Sequence, residues 1–275
     1  VKFFGLLTNI DAIKIKMPDS VPTGIARSFN ILIPIFIIIT AFSVGGCLFN
    51  TFTGNYLNVW IYNIIQLPLQ ALANTTGGIL VLALANQLFW FLGIHGGMVI
   101  EGVRGPLSAA GLAENISAVQ AGGVATNILT RGFWTSFVVV GGGGITLSLL
   151  IAIFIFSKRE DHKCIAKFSL IPGICGINEP IIFGTPIVLN PILSIPFLIM
   201  PCISSGLGYL VQKMGIVSLG YIVDPSFTPF FAQGFLSALD IRNVIFMFVL
   251  IAISVAVYYP FFKVYEKNTL DHEGE

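Results

Sequence analysis

The stretch Gly173-Ile-Cys-Gly-Ile-Asn-Glu-Pro-Ile-Ile-Phe-Gly-Thr-Pro186 decides how the chain is read. Glu179 stands alone in it: from Phe168 through Gln212 there is no other Asp, Glu, Lys or Arg. A charge in so apolar a setting costs several kcal/mol unless it is paired, hydrated or used. Pro172, Pro180 and Pro186, with Gly173, Gly176 and Gly184, forbid one smooth helix through the stretch. Broken backbone at membrane depth persists only where it is buried in protein or faces a watery cavity. The sequence therefore predicts a re-entrant loop that presents the Glu179 carboxylate beside the Asn178 amide, as a binding site within a membrane requires. A boundary acid, or one satisfied by a neighbouring helix, is the competing reading.

Composition supports the membrane. Hydrophobic residues make up 55% of the 275 and charged residues 10%, against roughly 25% charged in an ordinary soluble domain. The fold class that follows is all-α: a polytopic membrane protein of transmembrane helices, re-entrant hairpins and interfacial amphipathic helices, with lipid as its surroundings. The formal net charge is +1, and no basic tract suggests nucleic acid as a partner. Four cysteines are scattered without the paired short spacings of zinc or iron–sulfur sites. Three lie in apolar surroundings and read as small buried hydrophobes. Cys164, between Lys163 and Lys167, has basic neighbours of the kind that lower a thiol pKa, and it reads as an ordinary cysteine. No metal and no cofactor is expected.

Along the chain, residues 1–27 read as a polar connector. Residues 28–77 hold a span (Ser28 to Val44) and an interfacial amphipathic helix (Asn55 to Ala73). Residues 78–267 form the expected substrate-binding transport domain. Its spans are Gly78 to Ile94, Phe133 to Phe156 and Ile241 to Phe262. Its interruptions lie near 96–130, 165–190 and 215–239, and the tail 268–275 is expected to be disordered. The run Gly141-Gly-Gly-Gly144 lets neighbouring backbones approach closely inside a membrane. Lys158, Arg159, Lys163 and Lys167 place their loop in the cytoplasm. Paired interrupted segments, here around Glu179 and Pro225, are the best sequence pointer to a transporter substrate site.

A neutral polar ligand presents hydroxyls that donate and accept at once, and a dry site for one calls for carboxylates, amides, imidazoles and an aromatic face. Glu179 accepts, Asn178 does both, and burial would move the Glu179 pKa upward toward the range of a general base. His95 ends an apolar span and precedes Gly96 and Gly97, so backbone can come close there. Alone, such a histidine is more often a structural hydrogen bonder. Glu101 and Arg104 read as a solvated helical pair, with a gate or a ligand contact as the alternative. Asp224 and Asp240 read as boundary residues.

Three motifs carry a family resemblance. Gly176-Ile-Asn-Glu-Pro-Ile-Ile-Phe-Gly184 is followed by Pro186-Ile-Val-Leu-Asn-Pro191. Met17-Pro-Asp-Ser-Val-Pro22 runs into Ala26-Arg-Ser-Phe-Asn30, and Ile94-His-Gly-Gly97 follows an apolar helix. In their order along the chain (17–30, 94–97, 176–191) they resemble the enzyme IIC component of sugar phosphotransferase systems, within its lactose/cellobiose/diacetylchitobiose branch, from about residue 15 to about residue 265. The resemblance implies a disaccharide permease of the bacterial inner membrane, a homodimer, with further helices before Val1. It implies that His95 and Glu179 meet at the hydroxyl to be phosphorylated, and that enzyme IIB, phosphorylated on cysteine, is the donor. Many relatives carry a tryptophan just after the proline of the second broken region, where this chain reads Pro225-Ser-Phe227-Thr228. Phenylalanine still stacks on a sugar face but lacks the indole donor. Two other classes remain open on the residues alone: an ion-coupled transporter with Glu179 as the carrier, and a receptor that has lost transport.

Overall fold

The computed structural model describes residues 2–15, 18, 29–61 and 75–273, and every regular element among them is helical. The chain divides into two units, residues 1–67 and 68–275.

In the first unit α1 (Lys2–Thr8) precedes a 3-10 turn at Asp11–Ile13, within the segment expected to be a polar connector. Most of the rest of that connector, residues 16–17 and 19–28, lies outside the described residues. Helix α2 (Leu32–Thr53) is apolar on every side and without charge. At 1.5 Å per residue it is about 33 Å long, enough to cross a hydrocarbon core. It ends where Gly54 takes the left-handed conformation and its N–H reaches the Asn50 carbonyl. A short α3 (Leu57–Ile61) turns Trp60 edge-on to Phe49, with ring centroids 5.7 Å apart. The rest of the expected amphipathic helix, residues 62–74, lies outside the described residues.

The second unit begins with α4 (Thr76–Phe91), whose N-terminus is capped by the Thr75 hydroxyl accepting from Gly78 N. It packs against α5 (Gly96–Gln120) and against α10 (Ser194–Lys213). Residues 96–130 were expected to be interrupted, but α5 is one helix of 25 residues that carries Pro106 inside it. Tertiary packing decides this: Ile100, Leu107 and Leu112 are buried against the rest of the unit. Buried Asn115 holds the extended segment that follows. Its Nδ2 donates to the carbonyls of Asn127 and Gly220, both at 2.8 Å, and its Oδ1 accepts from Thr126 N and Asn127 N.

The stretch expected as one span from Phe133 to Phe156 is broken in the middle. Helix α6 (Arg131–Phe133) passes into a π turn at Trp134–Val138. A glycine loop and a 3-10 turn at Gly143–Ile145 then lead into α7 (Thr146–Phe156). Gly144 has φ 72°, and a Cβ there would sit 2.1 Å from Cδ2 of Phe197 on α10. The position thus demands glycine for its dihedral and for its neighbour. The freed backbone groups find partners in the protein, as a broken helix in a membrane must. Ser204 Oγ donates to the Phe137 carbonyl, and the fully buried Tyr258 hydroxyl donates to the Gly144 carbonyl at 2.6 Å.

Helix α8 (Glu160–Ile174) and α9 (Glu179–Gly184) form the helix–break–helix hairpin read from the prolines, with Gly176 at φ 80° in the turn. Residues 215–229 are irregular and lead into α11 (Phe230–Leu236). Helix α12 (Ile241–Glu273) then runs against α7 and continues past Asn268, where a disordered tail was expected. Four helical stretches among the described residues are long and apolar enough to cross a membrane: Leu32–Thr53, Arg131–Phe156, Ser194–Lys213 and Ile241–Asn268.

Candidate functional site

Three breaks in helical structure converge here: the α4–α5 corner, the glycine loop before α7, and the turn before α9. At the corner His95 is the N-cap of α5, its Nδ1 accepting from Met98 N at 3.1 Å. That bond leaves the proton of a neutral imidazole on Nε2. Gly96 permits the tight corner, since a Cβ there would fall 1.9 Å from the Asn86 carbonyl oxygen of α4. Trp90, also on α4, lies against the imidazole with ring centroids 4.4 Å apart.

The Nε2 of His95 faces Oε1 of Glu179 at 3.6 Å. The two side chains are 40% and 42% exposed, so neither is sealed inside the protein. The carboxylate is therefore less buried than the apolar sequence around it implied. Glu179 is the first residue of α9, where a negative charge is favourable, and Pro180 fits the first turn without loss of a backbone bond.

Asn178 differs from expectation in what it does. It is 4% exposed, and its Nδ2 donates to the Gly143 carbonyl at 3.2 Å. Its amide nitrogen is thus committed to bracing the glycine loop. Phe227 stands at φ 56° and is largely exposed. It lines a cavity of about 170 Å³ together with Ser226, Arg131 and the Cys175–Gly176 turn that leads to Glu179. The structure thus brings His95 and Glu179 together, sets Asn178 behind them, and places Phe227 across the turn. Trp90 and the Gly143 carbonyl were not anticipated. The aromatic run before His95 and the four consecutive glycines were the available signals.

The acids near the second interruption are more than boundary residues. Asp224 is buried, with its carboxylate 3.6 Å from Arg131 Nε and accepting from Thr135 Oγ1 at 3.3 Å. Asp240 caps α12, accepting from Arg242 N at 2.9 Å and from Ser218 Oγ at 2.7 Å. Burial pushes its carboxyl up, but the hydrogen bonds from Arg242 and Ser218 outweigh that and hold it at about 2. Among the described residues no group of three or more His, Cys, Asp or Glu converges as a metal site.

A carboxylate acceptor facing an imidazole N–H across 3.6 Å is too far for a direct hydrogen bond, and an oxygen bonded to both would sit to one side of the line that joins them. With helices that span a membrane and break around this pair, the architecture is that of an integral membrane protein with a polar site inside its helical bundle. The family model for the phosphotransferase system EIIC matches residues 6–201, and the chain belongs to that family. It is 35% identical over 264 residues to the oligo-beta-mannoside-specific EIIC component of Bacillus subtilis (strain 168), covering 95% of this chain and 60% of that protein. It is 33% identical over 264 residues to the lactose-specific EIICB component of Lacticaseibacillus casei, covering 95% of this chain and 45% of that protein. The crystal structure of ChbC, the IIC component of the N,N'-diacetylchitobiose-specific phosphotransferase system, superposes with a TM-score of 0.84 at 30% identity. That match covers 99% of this chain and 63% of ChbC. The chain thus spans 45–63% of the length of these relatives.

Proposed function

We propose that the protein binds a β-linked disaccharide at the His95–Glu179 pair and passes it across the membrane as it is phosphorylated by an enzyme IIB partner. The observation that carries this reading is the convergence of His95 Nε2 and Glu179 Oε1 at 3.6 Å, from two broken segments far apart in sequence. The relatives' printed names support the substrate class, naming β-mannosides, lactose and diacetylchitobiose, and the EIICB relative supports IIB as the partner.

In this reading a sugar hydroxyl sits between the two side chains, donating to Glu179 and accepting from His95 Nε2. The phosphoryl group rests on a cysteine sulfur of enzyme IIB. As the sugar oxygen bonds to phosphorus, the sulfur–phosphorus bond breaks and the cysteine leaves as thiolate, while the hydroxyl proton passes to Glu179. Phosphoryl transfer depends mainly on positioning and charge management, which a rigid pair on two helix starts supplies. Trp90 fixes the imidazole plane, and Asn178 holds the glycine loop behind the carboxylate. Phe227 offers its ring to a sugar face. The product is charged, so it does not return through the apolar passage. The protein works as a homodimer, as the family resemblance implies, with Lys158 and Arg159 and the first turns of α8, which carry Lys163 and Lys167, on the cytoplasmic side where IIB docks.

The test uses the full-length protein in proteoliposomes with phosphorylated IIB inside. Accumulation of sugar phosphate that needs the phosphorylated donor is expected. Uptake of unmodified sugar that an uncoupler abolishes would replace this reading with an ion-coupled one, and labelling of a cysteine placed at Ser157 from the outside of sealed cells would reverse the orientation.

A further inference from the structure

Lys213 is the last residue of α10, one of the four stretches long and apolar enough to cross a membrane. Its Nζ stands 5.7 Å from the centre of the Tyr209 ring, one turn back on the same helix. Gln212 beside it donates to the Ser218 carbonyl at 3.0 Å, and Asn243 of α12 donates to the same carbonyl at 3.2 Å. The end of α10 therefore lies beside the start of α12. Further along α12, Lys263 donates to the Phe156 carbonyl at the end of α7. Lys213 thus sits at the face opposite the basic connection that follows α7, the face on which cationic side chains are the exception.

Two cavities of about 360 Å³ each open at this end and share Ala125 and Leu219. Thr126, Tyr209 and Lys213 line one, and Ser218 and Tyr221 line the other. Among the described residues Lys213 is the only charged side chain that lines either. Asp240, which accepts from Ser218 Oγ at 2.7 Å, is matched by Arg242 at 2.9 Å. The mouth therefore carries one unbalanced positive charge among hydroxyl groups, which suits a phosphate oxygen.

One exposed lysine holds a small anion weakly, so a ligand that stays must gain contact elsewhere. Ile195, Ile199, Ile203 and Leu210 form an exposed apolar stripe along α10, at the spacing that keeps them on one face. Gly206 lies between this stripe and Tyr209, and no atom stands within 4 Å of where its side chain would begin. An open apolar track thus leads from the lysine down the span. A charged mouth at the end of a spanning helix, continued by such a track, matches the outline of a phospholipid.

We propose that this end of α10 binds an anionic phospholipid, with its headgroup phosphate at Lys213 and an acyl chain along Gly206 and the isoleucine stripe. The apolar track accepts any acyl chain, and the lysine selects the headgroup. The proposal needs the membrane setting alone and is independent of the sugar site.

The experiment is native mass spectrometry of the full-length protein released from detergent. The probes are phosphatidylglycerol and phosphatidylcholine with the same acyl chains, and glycerol phosphate as the headgroup without chains. The wild-type protein should retain one phosphatidylglycerol per chain in preference to phosphatidylcholine, and should not retain glycerol phosphate. Lys213→Gln should weaken phosphatidylglycerol by about fivefold, the worth of one lysine beside an anionic headgroup, and leave phosphatidylcholine unchanged. Gly206→Leu fills open space with a better helix former and should weaken both lipids. Lys158→Gln, an exposed cation at the opposite end, should behave as wild type. Equal retention of the two lipids by the wild type overturns the proposal, as does wild-type retention in Lys213→Gln or in Gly206→Leu. A loss as large in Lys158→Gln would mean diffuse attraction to the whole surface, and glycerol phosphate held as well as the lipid would mean a site for a soluble anion; either result overturns it too.

Discussion

The side-chain amide of Asn178 donates a hydrogen bond of 3.2 Å to the carbonyl of Gly143, fastening the turn before α9 to the break before α7. Two interruptions that are separate in sequence are thereby one structural object. Removing the donor in Asn178→Ala leaves a buried carbonyl unmet, at a cost of about 1–3 kcal/mol. The melting temperature in detergent should fall, and sugar affinity should fall with it because Glu179 follows directly on the same turn. Lost affinity at an unchanged melting temperature would instead make Asn178 a direct sugar ligand.

The same break is held from its other side. Tyr258 is fully buried, and its hydroxyl reaches the Gly144 carbonyl at 2.6 Å. Tyr258→Phe keeps the ring and removes only the hydroxyl, so packing is conserved. A loss of roughly 1–3 kcal/mol of stability is expected, read by thermal unfolding of the detergent-solubilised protein. No change would mean that the carbonyl takes another partner once the hydroxyl is gone.

How much of this was legible in advance follows a physical line. Glu179 was visible because a lone carboxylate in an apolar stretch is costly, and the hairpin around it was visible because proline and glycine act locally. The motifs supplied His95 as its partner, but no periodicity ties residue 95 to residue 179. The four glycines signalled close approach without saying to what: Phe197 and Asn178 come from elsewhere in the chain. Local composition also misled. Glycines, small residues and the charges of Glu101, Arg104 and Glu114 suggested an interrupted 96–130, whereas buried Ile100, Leu107 and Leu112 hold α5 together. The acidic end suggested disorder, yet α12 runs to Glu273. Asn178 was expected to face a ligand, since nothing in sequence reveals that a carbonyl lies within its reach.

Asp240 gives the protein an acid limb of known sign. Its carboxyl is held at about 2, below the ordinary value near 3.9. A carboxyl depressed by folding stabilises the protein above the unfolded value, and the contribution is lost as pH falls from about 4 to about 2. Asp240→Asn cannot carry the charge and should lack this contribution at neutral pH. Melting temperatures of the two proteins between pH 6 and pH 2 should therefore differ most at the neutral end and converge in acid. A gap that widens on acidification would show that other groups control the limb.

The decisive prediction concerns the pair that faces across 3.6 Å. Glu179→Gln keeps the shape and one hydrogen-bond acceptor but removes the proton acceptor and the charge. If the carboxylate is the base, phosphorylation should fall by about 10²–10⁴-fold, the usual worth of general-base catalysis, while much of the sugar affinity survives. If it only binds, affinity and phosphorylation should fall together. His95→Ala removes both the Nε2 donor and the cap of α5, so it mixes a binding loss with a structural one. His95→Asn separates them, because its side-chain oxygen can still cap the helix while the imidazole Nε2–H is gone. Its melting temperature should stay within a few degrees of wild type, and its sugar affinity should drop by about tenfold for the lost hydrogen bond. Calorimetry with sugar, sugar-phosphate formation with phosphorylated IIB and thermal unfolding, measured on all three variants, give each side chain a different signature. Near wild-type binding and phosphorylation in Glu179→Gln would remove this pair from the site altogether.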